Sequence, residues 1–225
     1  MKPLSDDKII DSWKRNAAPW IKTIRNKEIQ SRELITNQAI INAVTQHSPN
    51  SVIDIGCGEG WLVRELTKRG INTLGVDVVP ELIDYANKSA AGRFKTLSYK
   101  ELASDGLTET FDLAVCNFSL LGNESVTHLF QTIPSLLNPN GYFVVQTLHP
   151  ITACGEQEYK DGWREGSWDG FSDQFTDPAP WYFRTTESWQ GLFANHDLQL
   201  KETIEPIDPQ TNQPVSLLLI GVCNN

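Results

Sequence analysis

The chain reads as an α/β protein, a doubly wound and mostly parallel seven-stranded sheet with helices on both faces and an antiparallel hairpin at one edge. Three observations predict it. Short β-rich runs alternate with amphipathic stretches between Val52 and Thr147, which is the strand–helix–strand rhythm of a parallel sheet. Several of the runs, such as Leu113-Ala-Val-Cys116 and Tyr142-Phe-Val-Val145, are apolar at consecutive positions, as strands covered on both faces must be. Finally, two extended runs at 199–204 and 216–222 flank a polar connector carrying Pro206, Pro209 and Pro214, which suits an antiparallel pair.

The elements follow in order. Residues 1–49 are polar and helical in character: Trp13, Trp20, Ile21 and Ile24 recur at helical spacings, as do Leu34, Ile35, Ala39, Ile40, Ala43 and Val44. They are expected to form a helical cap ahead of a domain spanning 50–225. Strands are expected at 52–55, 73–76, 94–97, 111–116 and 142–147, with helices starting near Trp61, Pro80 and Ser125. The last of these puts Val126, Leu129, Phe130, Ile133, Leu136 and Leu137 on one face, and Pro134 is expected to kink or end it. A further helix is expected over 187–194. Residues 150–183 break the pattern: Tyr159, Trp163, Trp168, Phe171, Phe175, Trp181, Tyr182 and Phe183 lie among acids and glycines with no lasting period. So many rings argue against disorder, and the segment is read as a lid over the site.

At 225 residues the chain can bury a full core without disulfides or a structural metal. Its net charge of −9 disfavours a broad nucleic-acid surface. Cys57, Cys116, Cys154 and Cys223 are scattered, with no paired spacing for zinc, and no metal is expected. They read as reduced thiols of a cytoplasmic protein. No apolar run approaches a bilayer span, and MKPLSDDKII carries no export signal. Nothing in the sequence speaks to oligomeric state.

The chemistry is carried by Ser51-Val-Ile-Asp54-Ile-Gly56-Cys57-Gly58-Glu-Gly60-Trp61, a strand that opens into glycines and then a helix. Glycines let the backbone turn tightly and approach a ligand where a Cβ would block it. The spacing separates two readings. A dinucleotide loop wants a third glycine where Trp61 stands, and an indole there fits a pyrophosphate cradle poorly. Asp54 precedes the first glycine by two residues, and the next strand ends in Asp77, about twenty residues past the loop. A carboxylate so placed can accept both hydroxyls of a ribose; as a plain alternative, it can cap the helix that follows.

The D-x-G-x-G-x-G pattern followed by Asp77 resembles the class I S-adenosylmethionine-dependent methyltransferases. The likeness covers 51–149, and the terminal antiparallel edge fits it too. It implies a Rossmann-like methyltransferase fold, S-adenosyl-L-methionine as cofactor and S-adenosyl-L-homocysteine as product. It also implies cofactor contacts from Asp54, Gly56, Cys57, Gly58, Gly60, Asp77 and Val78. The usual acid after the third strand is missing, so Ser98 and Tyr99 stand as candidates near the adenine. Asn117 and Phe118, at the carboxyl end of the fourth strand, face the cofactor or substrate. Asn138-Pro139-Asn140-Gly141 resembles the family's turn before the fifth strand. That strand ends at His149, a candidate base or orienting group. The flanks, with Trp13, Trp20 and Ser31-Arg32, and the tryptophan-rich 150–183 resemble a bacterial subgroup with no assigned acceptor. Trp13, Trp20, Trp163, Trp168, Trp181 and Tyr182 are expected at the acceptor side, with Arg184 placed to orient one carboxylate or phosphate.

The reaction expected is in-line methyl transfer to a small-molecule acceptor, which depends on alignment more than on a base. The absence of an Asn/Asp-Pro-Pro-aromatic motif at Asn117-Phe118 argues against a base-directed nucleic-acid methylase. An RNA, DNA or protein acceptor, or a non-catalytic cofactor-binding protein, are the other readings.

Overall fold

A computed structural model of the chain describes residues 4–88, 91–104 and 106–223; the first residues of the expected cap and the last of the expected domain lie outside them. Two helices come first, α1 (Asp6–Arg15) and α2 (Ala17–Arg25), then a π-helical turn (Arg32–Thr36) that runs into α3 (Asn37–Thr45). The Ser5 side chain caps α1, with Asp6 and Asp7 in its first turn and Lys14 and Arg15 in its last, each sign placed where the helix dipole favours it.

The alternating region follows as β1 (Ser51–Ile55), α4 (Trp61–Lys68), β2 (Asn72–Asp77), α5 (Pro80–Asn87), β3 (Arg93–Thr96), α6 (Tyr99–Ala103), β4 (Phe111–Asn117), α7 (Glu124–Leu136) and β5 (Leu137–Leu148). The remainder is α8 (Pro150–Cys154), β6 (Gly162–Arg164), β7 (Trp181–Phe183), α9 (Thr186–Ala194), β8 (Leu198–Ile204), the two-residue strands β9 (Ile207–Asp208) and β10 (Gln213–Pro214), and β11 (Ser216–Cys223).

The main sheet has seven strands in the order β3-β2-β1-β4-β5-β11-β8. The first five are parallel, while β11 runs antiparallel between β5 and β8. After β1 the chain builds outward through β2 and β3, then returns to lay β4 on the other side of β1. That reversal opens a crevice at the carboxyl ends of β1 and β4.

Alternation along the strands divides the core. Ile53, Ile55, Ala114, Cys116, Phe143, Val145, Leu217 and Leu219 meet α7 and α9 through Val126, Phe130, Ile133, Trp189 and Phe193. Val52, Leu113, Val115, Val144, Leu218 and Ile220 meet α3 and α4 through Ile40, Val44, Leu62 and Leu66. Helix α3 is therefore part of the sheet's own core. A cap drawn at residue 49 cuts through this packed layer, and only α1 and α2 stand outside it.

Three local details differ from the sequence reading. Helix α7 runs through Pro134 and ends at Leu136, two residues past a proline that costs the ladder one bond. The 206–214 connector forms its own ladder, with Gln213 opposite Asp208 and Pro214 opposite Ile207. Within 150–183, Gly162–Arg164 pairs antiparallel with Trp181–Phe183, so the segment carries a two-stranded sheet of its own.

Candidate active site

The chain's seven tryptophans all line one cavity of about 1130 Å³ above the β1/β4 crevice. On its floor is the loop after β1. Gly58 has φ +57°, and a Cβ there would meet only the Trp20 indole nitrogen at 3.7 Å, so the backbone is bare toward the cavity. Gly60 serves a different end: a Cβ would strike the Phe94 ring at 2.5 Å, so its absence lets α4 settle on β3. Gly56, Cys57, Gly58, Val78, Ser98, Tyr99, Asn117 and Phe118 line the cavity with Asp77; Asp54 and Gly60 do not.

Asp77 is bonded on both oxygens, Oδ2 accepting from Gly58 N and Oδ1 from Val79 N, each at 2.9 Å. These two bonds tie the glycine loop to the approach of α5 and leave further lone pairs on each oxygen. Burial pushes its pKa up, opposed by those N–H groups. Asp54 lies below the loop, 2% exposed, with Oδ1 lacking a partner among the described residues. Burial, then the charge of Asp77, raises its pKa to about 8, and Arg32 opposes the rise.

The Ser98 hydroxyl is taken up in a capping box with Glu101 at the start of α6, and its backbone N–H donates to the same carboxylate. Tyr99 is turned inward, its hydroxyl donating to Ser119 O at 3.0 Å. Phe118 has φ +54°, a conformation that a bulky side chain adopts only when held there, and its N–H bonds Gln146 O at 2.8 Å. The Asn117 side-chain Oδ1 is buried without a partner among the described residues.

His149 does not meet the expectation of a base at the rim. It is 2% exposed, does not line the cavity, and its Nε2 lies 2.9 Å from Glu205 Oε1. The strand's last alternation turns the ring toward the connector after β8 instead.

Arg32, which the sequence offered only as part of the Ser31-Arg32 flank, is a cation that lines the cavity. The π-helical turn directs it into the cavity, its guanidinium carbon 5.1 Å from the Trp61 ring centroid and 5.8 Å from that of Trp20. No carboxylate lies within ion-pair distance among the described residues. Burial lowers its pKa to about 10 despite the nearby charges of Glu59, Glu33 and Asp54. No spacing from the glycine loop marks this arginine; only the extra residue in the turn aims it.

The cover is built of aromatic clusters. Trp13 meets Trp20 at 5.1 Å and Trp168 at 5.7 Å, Trp20 meets Phe171, and Trp168 meets Phe175 at 4.6 Å. Trp163 stands edge-on to Tyr182 across the β6/β7 ladder. Asn16, fully buried, bonds Thr176 both ways, its Nδ2 donating to Thr176 O at 2.7 Å and its Oδ1 accepting from Thr176 N at 2.9 Å. Arg15 pairs with Asp177 beside it. Asn16→Ala is therefore expected to speed amide exchange at Thr176 and its neighbours while leaving β1 and β4 as protected as before. Hydrogen-exchange mass spectrometry checks this, and unchanged exchange at Thr176 contradicts it.

A family model described as a methyltransferase domain matches residues 28–203. The chain is a class I S-adenosylmethionine-dependent methyltransferase. Among curated proteins, this methyltransferase is 24% identical over 189 residues to a ubiquinone biosynthesis O-methyltransferase of Rickettsia felis, covering 77% of this chain and 72% of that one. It is 28% identical over 106 residues to the Actinobacillus pleuropneumoniae protein of the same name, covering 44% of this chain. The matched region there spans 45% of the relative's length. Among solved structures, magnesium protoporphyrin IX methyltransferase from Synechocystis with bound SAH superposes with TM-score 0.65 at 16% identity, covering 96% of this chain and 99% of that one. At that identity the likeness concerns the fold. The methyltransferase's cofactor is S-adenosyl-L-methionine, and the bare loop at Gly58, the Asp77 carboxylate and the orphaned Asn117 oxygen fit such a ligand. No helix among the described residues is long and apolar enough to cross a membrane.

Proposed function

We propose that the methyltransferase acts on a small, largely apolar acceptor enclosed with the cofactor under the aromatic cover. One observation carries this reading: the cavity of about 1130 Å³ exceeds the roughly 300–1,000 Å³ of a single-ligand pocket, and all seven tryptophans line it. The curated relatives bear the name of ubiquinone biosynthesis O-methyltransferases and the Synechocystis structure that of a protoporphyrin methyltransferase, names that speak for ring-bearing acceptors in those proteins.

When bound, the cofactor supplies a methyl group already activated by its sulfonium. The chain's residues then have to bind, align and keep water out. In this reading Gly56, Cys57 and Gly58 give the cofactor a bare backbone to lie on. Asp77 accepts from the ribose hydroxyls while keeping its bonds to Gly58 and Val79. Arg32, a cation with no acid in contact, faces the methionine carboxylate. Val78, Tyr99 and Phe118 border the adenine and ribose, and Asn117 turns its unpaired amide toward the reacting centre. Asp54 and Gly60 support the loop from beneath. The cover, made of α1, α2 and 150–183, closes the acceptor side with Trp13, Trp163, Trp168, Trp181 and Tyr182. Alignment of this kind is worth roughly 7–11 kcal/mol of barrier, so no buried base is required.

Turnover of methyl-labelled cofactor against a panel of ring-bearing phenols, amines and carboxylates, with tRNA and a peptide pool alongside, tests the acceptor class; labelling of tRNA or peptide alone overturns it. For the cofactor site, Asp77→Ala is expected to weaken S-adenosylhomocysteine binding by roughly 1.5–3 kcal/mol in isothermal titration. An analogue lacking the ribose hydroxyls should lose much less. Equal losses for both ligands assign Asp77 to loop bracing alone.

A further inference from the structure

The cofactor-side residues account for the half of the cavity over β1, β2 and β4. The rest of its wall comes from α1, the β4–α7 loop, β7 and α9, where rings and aliphatic side chains stand beside the acids Asp6, Asp7 and Glu124 and a single arginine. Arg184, directly after β7, is 4% exposed and lines the cavity. Its guanidinium carbon sits 4.8 Å from the Tyr182 ring centroid and 5.1 Å from that of Trp189. Nη1 donates to Gly122 O at 2.8 Å and Nη2 to Asn123 O at 3.0 Å, while Nε donates to none of the described residues. Among these residues it has no carboxylate within ion-pair distance.

Two acids act on it from farther off, Asp161 and Asp6, and both are held by backbone N–H groups outside ion-pair distance of the guanidinium. Asp161 accepts from Thr185 N, and Asp6 accepts from Asn123 N and Ser125 N at the start of α7. Burial brings the Arg184 pKa down to about 10, which still leaves it charged at neutral pH. A buried cation answered only by carbonyls is costly, and an anion supplied by a ligand relieves that cost.

We infer that Arg184 is the acceptor's anchor, and that the acceptor is a planar, mostly apolar ring system carrying a single carboxylate. This rests on the methyl-transfer reading above and narrows it. The rings on the wall favour a flat apolar body, as indole faces and edges do for other aromatic surfaces. One charge is what the site holds: Asp6, Asp7 and Glu124 also line the cavity and repel a second carboxylate.

The test uses the full chain saturated with S-adenosylhomocysteine and reads tryptophan fluorescence, since every tryptophan borders the cavity. The probes are 2-naphthoate, its neutral isostere 2-naphthamide, and naphthalene-2,6-dicarboxylate. The monoacid is expected to bind at least about tenfold more tightly than the amide, and the diacid more weakly than the monoacid. Arg184→Gln should erase the preference for monoacid over amide, and Arg184→Lys should keep part of it. Isothermal titration should give the same S-adenosylhomocysteine affinity for all three proteins. If Arg184→Gln does not fold, the parent's discrimination and its Arg184→Lys counterpart decide the matter. Equal binding of acid and amide to the parent, or no binding of either, overturns the inference while cofactor binding stands. A parent that binds no S-adenosylhomocysteine overturns the methyl-transfer reading itself.

Discussion

Gly58→Val is expected to lower S-adenosylhomocysteine affinity by at least about 100-fold, or roughly 2.7 kcal/mol, while circular dichroism stays native. The reason is where the new side chain goes. A Cβ at Gly58 has only the Trp20 nitrogen near it, at 3.7 Å, so the valine methyls enter the space the cofactor needs and not the protein core. The position also has φ +57°, which a β-branched residue adopts at a cost of roughly 1–3 kcal/mol. Some loss of melting temperature should therefore accompany the loss of affinity. Gly60→Val is the internal control. There the Cβ meets Phe94 at 2.5 Å under the loop, so it should cost mainly stability, with α4 forced off β3. Cofactor affinity of Gly58→Val within twofold of the parent removes the loop from the binding site.

The fold was legible because burial wrote it into the residue types. Val52, Ile53 and Ile55 in β1 and Leu113 to Cys116 in β4 are apolar on both faces, and both faces are covered. Asp77 was legible because a carboxylate at a strand's end, at a fixed distance from a glycine loop, has few other uses. Its actual bonds go to Gly58 N and Val79 N and brace the loop, while α5 follows Val79 with no side-chain cap. What escaped depended on side-chain direction. Ser98 opens an S-x-x-E capping box that the sequence displays plainly, and its hydroxyl is bonded to Glu101. Helix α6, only five residues long, is too short for a period to show. His149 follows β5 at the right depth but faces Glu205, because a sheet's alternation sends neighbouring residues to opposite sides. Arg32 required knowledge of a π-helical turn, which no residue pattern announces. The cavity itself was half legible: the tryptophans of 150–183 were expected at the site, whereas Trp61 spoke only against a dinucleotide loop and nothing in the residue pattern marked Trp189.

The second large effect concerns Asp54, a carboxyl sealed beneath the glycine loop. Between its ordinary value near 4 and about 8, the folded chain keeps a proton that the unfolded chain gives up. The native state binds more protons than the unfolded one in that window, so this group makes stability fall as pH rises through it, with no further loss above about 8. Asp54→Asn removes the titration and keeps the shape. Nothing among the described residues hydrogen-bonds Asp54 Oδ1, so the amide forfeits no bond there. Arg32 loses a distant countercharge, which offsets part of the gain. The expected result is a variant close to the parent in urea unfolding at pH 4 and more stable by on the order of 3 kcal/mol at pH 8, the difference growing steadily between them. Other titrating groups shape both curves alike, so the difference is the quantity to follow. Parallel curves from pH 4 to 8 mean that the carboxyl ionises in the folded chain near its ordinary value. The pairing with Arg32 then outweighs burial, and Asp54 holds the cation of the cofactor site in place.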